Sequence, residues 1–158
     1  MTPRTIRRAL LLIAAAACLT PFLVADAKKP EGEPVELKGK VVPLADLVAK
    51  TGSKLDADAD PVSLVLVADD GKVYTLVKDG GARLFFKDKA LLNRPMKLTG
   101  RLLPGSQILQ VASVNTIVKG QLCEVYYWCD ICSIRRGEKM VCECCGGPME
   151  LHEDPIRK

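Results

Sequence analysis

The amino-acid sequence predicts a mainly β protein, made of a small antiparallel barrel with one helix and a cysteine-rich C-terminal module. Three observations lead to this fold class. Short runs of apolar residues, partly alternating with polar ones, recur between residues 35 and 118 and are separated by turn residues. One stretch within this region, residues 82–92, has apolar residues at helical spacing. Six of the seven cysteines in the 158-residue chain follow residue 122.

The region 35–118 is predicted to form five strands, with a helix between the third and the fourth. The second and third strands form a hairpin, because Asp69-Asp70-Gly71 supplies the glycine that a tight turn needs. Pro104-Gly105-Ser106 is the turn between the last two strands. The predicted elements are strands over residues 35–44, 62–68, 72–78, 95–103 and 107–118, a helical turn over 45–50 and a helix over 82–92.

This order of elements resembles the OB-fold, a small Greek-key barrel of five strands. The resemblance covers residues 35–118 and depends on element order and turn chemistry, not on a residue motif. Many OB-folds bind oligonucleotides or oligosaccharides on one face. Here Tyr74, Phe85 and Phe86 are the aromatic residues of the region, and both phenylalanines lie on the predicted helix. We therefore expect a structural or protein-docking barrel and no nucleic acid partner. Another small antiparallel barrel or sandwich is the alternative.

The first 27 residues have the three parts of a secretory signal peptide. Three arginines precede an apolar run over residues 9–19, and the segment ends in Ala25-Asp26-Ala27. We expect cleavage after Ala27, export to the periplasm or the extracellular space, and a polar linker over residues 28–34. Cleavage lowers the formal net charge from +4 to +2, because three arginines and one aspartate leave. The remaining charge is too small to indicate nucleic acid binding.

Three other interpretations of the N-terminal segment remain open. A membrane anchor is one, although Pro21 interrupts an apolar run that would need about 20 residues to span a bilayer. A lipoprotein signal ending at Cys18 is the second. Arg7-Arg8 with the apolar residues after it resembles a twin-arginine export signal, which is the third. After signal cleavage no stable membrane span is expected.

The sequence argues against an enzyme. His152 is the single histidine, so a histidine-based triad has little support. No glycine-rich nucleotide-binding loop of the two common kinds is present in the sequence. The Asp56-x-Asp58-x-Asp60 pattern resembles the start of a calcium loop, but Pro61 and Val67 stand where that loop needs glycine and glutamate.

Two Cys-x-x-Cys pairs form the predicted metal site. Two residues between the cysteines let one tight turn direct both sulfurs at a single ion, and two such turns complete a tetrahedron. Gly146 follows the second pair, where backbone amides approach the sulfurs, whereas Ser133 follows the first. The predicted ligands are Cys129, Cys132, Cys142 and Cys145.

Residues 126–151 resemble a zinc ribbon, and the resemblance implies one structural zinc ion. The pairs also resemble rubredoxin-like knuckles, so iron is the alternative metal. Glu143 argues against iron, because those knuckles usually have proline at that position. Copper(I) is also compatible with soft thiolate ligands. Disulfides are a further alternative, because exported proteins usually enter an oxidising compartment.

The remaining cysteines, Cys123 and Cys144, have no assigned role, and the sequence permits either a disulfide between them or two free thiols. The Cys144 side chain is expected to point away from the ion, and His152 is expected to lie at the surface rather than to bind it. Tyr126, Tyr127 and Trp128 are expected to pack around the metal site, and Arg135, Arg136 and Lys139 to form a solvated tip.

The sequence thus predicts an exported, non-enzymatic metal-binding protein with four parts. The barrel and the zinc ribbon would serve binding or interaction with a protein partner. The alternative is a redox or metal-handling protein that uses iron, copper or redox-active cysteines. The predicted parts are a signal peptide (1–27), a linker (28–34), the OB-like barrel (35–118) and the zinc-ribbon-like module (121–158).

Overall fold

The computed structural model describes residues 32–56, 58 and 63–157. The predicted signal peptide, most of the linker and Asp60 lie outside the described residues. The described chain is mainly β, as predicted, and none of its helices is long and apolar enough to cross a membrane. Its strands are β1 (Glu33–Pro43), β2 (Leu64–Ala68), β3 (Val73–Leu76), β4 (Pro95–Leu102), β5 (Ile108–Val118), β6 (Gln121–Cys129), β7 (Ile134–Arg136) and β8 (Glu150–Pro155). Its helices are α1 (Leu44–Ala49), α2 (Arg83–Lys87) and a 3₁₀ turn (Lys89–Leu91).

Strands β1 to β5 pair with one another in a closed ring, which we call the five-stranded ring. β1 pairs antiparallel with β2 and with β4, β2 pairs with β3, and β4 pairs with β5. A short parallel contact between β3 and β5, in which Thr75 is opposite Ile108, closes the ring. The chain segment that contains α2 connects β3 to β4. Element order and pairing therefore agree with the predicted OB-like arrangement.

The turn between β2 and β3 forms as the sequence predicts. Gly71 has a φ of 83°, which lies in the left-handed region that glycine adopts without strain. The Ala68 N–H donates to the Lys72 carbonyl at 2.9 Å. The Asp70 carboxylate accepts a hydrogen bond from the Lys72 N–H at 3.0 Å. These contacts are all local, so the hairpin depends little on the rest of the chain.

The helix predicted over residues 82–92 is interrupted at Asp88. This residue has an extended backbone, with φ −133° and ψ 103°, and it separates α2 from the 3₁₀ turn. Its carboxylate accepts a hydrogen bond from the Ala90 N–H at 3.1 Å and caps the turn. The prediction of one continuous helix is therefore wrong, although its apolar residues are directed into the core as expected. The buried ones are Leu84, Phe85 and Leu91.

Strand β6 continues the sheet from the five-stranded ring into the C-terminal segment (residues 121–157). Its first four residues pair with the end of β5, and its last three pair with β7. β8 pairs along the other edge of β6, from Cys123 opposite Pro155 to Trp128 opposite Glu150. A turn at Lys119-Gly120 joins β5 to β6. The predicted boundary after residue 118 thus falls within a continuous hairpin.

One apolar core extends through the five-stranded ring and the C-terminal segment. In the ring it is formed by side chains from all five strands and from α2. In the C-terminal segment it includes Tyr127, Cys129, Cys142 and Met149, each at most 4% exposed. The two cysteines of the predicted metal site that lie in this core therefore connect the site to the packing of the whole protein.

Polar contacts also hold the C-terminal segment against the ring. Tyr127 Oη donates to Asp88 Oδ2 at 2.9 Å, and Lys139 Nζ lies 3.4 Å from Asp88 Oδ1. Arg94 donates to both carboxylate oxygens of Glu153 at 2.7 and 2.9 Å. Asp88 and Arg94 both belong to the connection between β3 and β4, so this connection is the surface on which the C-terminal segment packs.

We expect Asp88 to contribute stability that is lost in acid. Burial opposes its charge, but hydrogen bonds from the Ala90 N–H and Tyr127, together with Lys139, keep its pKa below the ordinary value of 3.8. A carboxyl group with a lowered pKa stabilises the fold above its unfolded pKa, and this contribution disappears as the pH falls through the folded pKa. Urea unfolding between about pH 2 and about pH 6 should show a smaller loss of stability for Asp88→Asn than for the wild type. Parallel pH profiles of the two proteins would contradict this expectation.

Candidate metal centre

Two short turns hold the four cysteines of the predicted metal site. The first follows β6, whose last residue is Cys129, and it leads through Cys132 into β7. The Ser133 N–H donates to the Cys129 carbonyl at 2.8 Å in this turn. In the second turn the Gly146 N–H donates to the Cys142 carbonyl, also at 2.8 Å. In both turns, the N–H of the residue after the Cys-x-x-Cys pair thus donates to the carbonyl of the first cysteine of that pair.

The residue after each Cys-x-x-Cys pair has a left-handed backbone. Gly146 has a φ of 72°, and Ser133 has a φ of 53°. Glycine adopts this conformation freely, whereas a residue with a Cβ adopts it at a cost of about 1–2 kcal/mol. The serine in the first turn therefore makes that turn less stable without changing its shape.

We expect Gly146→Ala to destabilise the protein by about 1 kcal/mol, because the new Cβ is strained in the left-handed conformation. Ser133→Gly is expected to change stability by less than about 1 kcal/mol. It removes the same strain but gives the unfolded chain more freedom. Urea unfolding of the metal-loaded variants measures both effects. Equal destabilisation by the two substitutions would show that the left-handed conformation does not determine the stability of these turns.

The four sulfur atoms of the predicted site come together in space. All lie within 4.8 Å of one another, and the Sγ atoms of Cys129 and Cys145 are 3.5 Å apart. Four sulfurs placed about 2.3 Å from a central zinc ion would be separated by about 3.8 Å. None of the six cysteines among the described residues forms a disulfide. The cluster therefore has the size of a tetrahedral thiolate site and could bind a metal ion.

Backbone amides favour the thiolate form of Cys142. The N–H groups of Cys145 and Cys144 hydrogen-bond to its sulfur and lower its pKa to about 6, although burial opposes this shift. In the same turn the Gly147 N–H donates to the Cys145 sulfur at 3.4 Å. The thiolate is the form of cysteine that binds metal ions. The backbone of the second turn therefore favours the form of cysteine that binds a metal cation.

The cluster is buried on one side and accessible on the other. Cys129 and Cys142 are each 2% exposed and face the core, whereas Cys132 is half-buried and Cys145 is exposed. Ile131, between the two cysteines of the first turn, is 78% exposed. The side of Cys132 and Cys145 is therefore the accessible side of the cluster.

The remaining two cysteines are too far apart for a disulfide and are both free. Cys123 lies six residues before Cys129 on β6, which is about 20 Å along an extended strand. Cys144 adjoins Cys145 in the second turn, and a disulfide needs Cα atoms within about 7 Å. The Cys144 thiol is the first cause of the raised pKa of Cys132, and Cys144 does not belong to the group of four close sulfurs. That the Cys144 side chain points away from the ion stays a prediction.

The three aromatic residues of β6 lie on two faces of the strand, because side chains alternate. Tyr127 is fully buried, as expected, whereas Tyr126 and Trp128 lie on the outer face and are half-buried. The expectation that all three pack around the metal site is wrong for these two. His152 stacks on Tyr126, with ring centroids 5.4 Å apart, and does not belong to the cysteine cluster.

The basic side chains near the cysteines are solvent-exposed, as expected, and each is also paired with an acidic side chain. Arg135 pairs with Glu124, and Arg136 pairs with Glu143 at 2.9 Å. Lys139 takes part in the contact with the five-stranded ring described above. The predicted solvated tip is thus a set of ion pairs. Arg136 brings its positive charge to the second turn, where it would partly offset the negative charge of bound thiolates.

Comparison with known proteins does not assign the chain to a family. No protein family, curated protein or solved structure matches the sequence or the fold. A function is therefore inferred from the cysteine cluster and from its surroundings.

Proposed function

We propose that this is an exported, non-enzymatic protein that binds one zinc ion through Cys129, Cys132, Cys142 and Cys145. The observation that carries the proposal is the convergence of these four sulfurs within 4.8 Å. Four thiolates in a tetrahedron are a ligand set typical of structural zinc sites. On this proposal, the cysteine turns with β6, β7 and β8 form a zinc ribbon.

A structural role for the ion follows from the closed ligand set. Four protein sulfurs complete a tetrahedral coordination shell and leave no position for water or substrate. Between Cys129 and Glu150 the chain contains one three-residue strand, β7, and otherwise turns and loops. A segment with so little regular structure gains much of its order from a bound ion, since structural zinc contributes about 10–16 kcal/mol in zinc-finger peptides.

Two further observations support the export and the protein partner that we propose. The signal-peptide pattern of residues 1–27 supports export. Exposed apolar side chains beside the cysteine turns support a protein partner, since Ile131 is 78% and Val141 is 65% exposed. The non-enzymatic role rests on the closed ligand set together with the absence of a catalytic motif in the sequence.

Metal content, a thiol count and an N-terminal mass test the proposal on protein collected after export. We expect one zinc ion per chain, an N-terminus at Lys28, and four thiols that reagents reach only after chelation. The exposed Cys144 should react at once, and the buried Cys123 only after unfolding. Three disulfides without zinc would overturn the metal site. An uncleaved N-terminus would overturn export and leave the metal site unaffected.

A redox or metal-handling protein is the second candidate, and the exposure of Cys145 and Cys144 favours it. Accessible thiolates can exchange metal ions or electrons with a partner, which buried thiolates cannot. Iron–thiolate absorption bands in the purified protein would support the iron alternative. Stoichiometric copper(I) or zinc transfer to an acceptor protein would support metal handling.

A further inference from the structure

The connection between β3 and β4 (residues 77–94) lines an open apolar pocket, together with the last residue of β1 and the first of β2. The pocket has a volume of about 230 Å³. This is room for about eight non-hydrogen atoms, since a water molecule occupies about 30 Å³ in the liquid. An apolar group of that size can therefore be removed from water here. Its apolar lining residues are the buried Leu64 and Phe85 and the half-buried Pro43, Phe86 and Leu92.

Two polar residues line the same pocket, and both have hydrogen-bond donors to spare. Lys89 and Asn93 are exposed. Within residues 32–56, 58 and 63–157, Lys89 has no ion-pair partner and the Asn93 side chain has no hydrogen-bond partner. The Asn93 N–H donates to the Val41 carbonyl at 2.8 Å, which holds the backbone of this residue against β1. Ammonium and amide groups both donate hydrogen bonds, so the pair can bind an acceptor group of a ligand.

The charge around the pocket is positive. A second cation, Lys78, has its Nζ atom 5.1 Å from the centroid of the Phe86 ring. No aspartate or glutamate is among the lining residues that the structure describes. The carboxylate of Asp88, which precedes the lining lysine, is bound instead to Tyr127 and Lys139 of the C-terminal segment. A ligand that complements the pocket therefore has an apolar body and a negative charge.

We propose that this pocket binds a small apolar carboxylate. The apolar body of the ligand packs against Phe85, Phe86 and Leu92. Its carboxylate accepts hydrogen bonds from the Lys89 ammonium and the Asn93 amide. Hydrogen bonds between charged groups are about twice as strong as neutral ones, so the negative charge contributes to affinity as well as to orientation. The inference does not depend on the metal site, because none of the described lining residues belongs to the cysteine turns.

Titration of the isotope-labelled, metal-loaded chain with hexanoate, followed by NMR, tests the site. Hexanoate has the size and charge that the pocket fits. We expect it to shift the amide resonances of Phe86, Leu92 and Asn93 with an affinity in the millimolar range, which is usual for so small a ligand. Hexanamide, the neutral analogue, should bind at the same place about fivefold more weakly, the effect of one ion pair near the surface. Hexylamine, the cationic analogue, should not bind.

The variant Lys89→Gln removes the charge from an exposed position, where the fold does not depend on it. It should bind hexanoate about fivefold more weakly than the wild type and hexanamide equally well. The matched control is Lys38→Gln, the same change at an exposed lysine of β1 that is outside the pocket lining. This control should bind both compounds like the wild type.

Three results would overturn the inference. One is hexanoate binding that is equal in the wild type and in Lys89→Gln. Another is hexanamide or hexylamine binding at least as tightly as hexanoate. The third is a hexanoate titration that leaves the pocket resonances unchanged. Each of them would leave the proposed zinc site unaffected, since zinc content is measured separately on the same protein.

Discussion

Replacement of Cys142 by serine is expected to abolish tight zinc binding and to disorder the chain that follows β6. Cys142 is 2% exposed, and two backbone N–H groups lower the pKa of its thiol to about 6. A serine hydroxyl stays protonated there and is not a zinc ligand of structural sites. A structural zinc ion contributes about 10–16 kcal/mol in zinc-finger peptides, and whole domains are stable by about 5–15 kcal/mol. The stability lost with this ligand should therefore be larger than the remaining contacts of the cysteine turns can offset.

Zinc content and tryptophan fluorescence measure this effect. Trp128 is the only tryptophan of the chain and directly precedes Cys129, so its emission reports on the order of the end of β6. The matched control is Cys123→Ser, the same chemical change at another buried cysteine, whose thiol contacts the Gln121 carbonyl at 3.7 Å. The control should keep one zinc ion and the wild-type emission. Retention of both by Cys142→Ser would show that this residue is not a ligand.

The five-stranded ring could be predicted from the sequence where its signals are local. The hairpin at Asp69-Asp70-Gly71 is an example, since its glycine conformation and hydrogen bonds involve neighbouring residues. The closure of the ring is not local, because Thr75 of β3 meets Ile108 of β5. Only the resemblance of the element order to a known barrel predicts this closure. Local patterns identify strands, whereas pairing between distant strands needs knowledge of the fold.

The break at Asp88 shows what local patterns miss. Helical spacing does extend over residues 82–92, but Asp88 adopts an extended backbone and directs its carboxylate to Tyr127, 39 residues later. No pattern near either residue indicates this contact. Strand β6 is a different case, because Gln121–Cys129 is rich in aromatic residues and follows a glycine turn. Aromatic residues that follow a turn are signals of a strand. Strand β6 is therefore predictable from local signals, although the cysteine spacing of the same segment points first to a metal site.

The four clustered cysteines were predictable because Cys-x-x-Cys spacing is itself a geometric constraint. The direction of the Cys144 side chain is not constrained by the spacing in the same way. The expectation that Cys144 points away from the ion came from its position between two ligands in the sequence. The direction of a side chain within a tight turn depends on the backbone angles of that turn, such as the left-handed conformation of Gly146.

Tyr127→Phe is expected to destabilise the protein by about 1–3 kcal/mol, the usual cost of leaving a buried polar group without its partner. The Tyr127 hydroxyl donates to Asp88 Oδ2 at 2.9 Å, and both side chains are buried. Phenylalanine keeps the ring in the core but removes the donor. The Asp88 carboxylate then loses a hydrogen bond in a place where water cannot easily replace it. Urea unfolding with the metal ion bound measures the difference.

Tyr126→Phe provides the matched control on the same strand. The Tyr126 hydroxyl donates to Asp154 Oδ2 at 2.6 Å, but this contact is exposed. Water can satisfy Asp154 when the hydroxyl is removed, so the expected change is within about 0.5 kcal/mol. Equal effects of the two substitutions would contradict a special role for the buried bond. A larger effect of Tyr127→Phe would show that β6, which ends at Cys129, is held to the five-stranded ring through Asp88. Stability of the metal site would then depend on a residue outside the cysteine pattern.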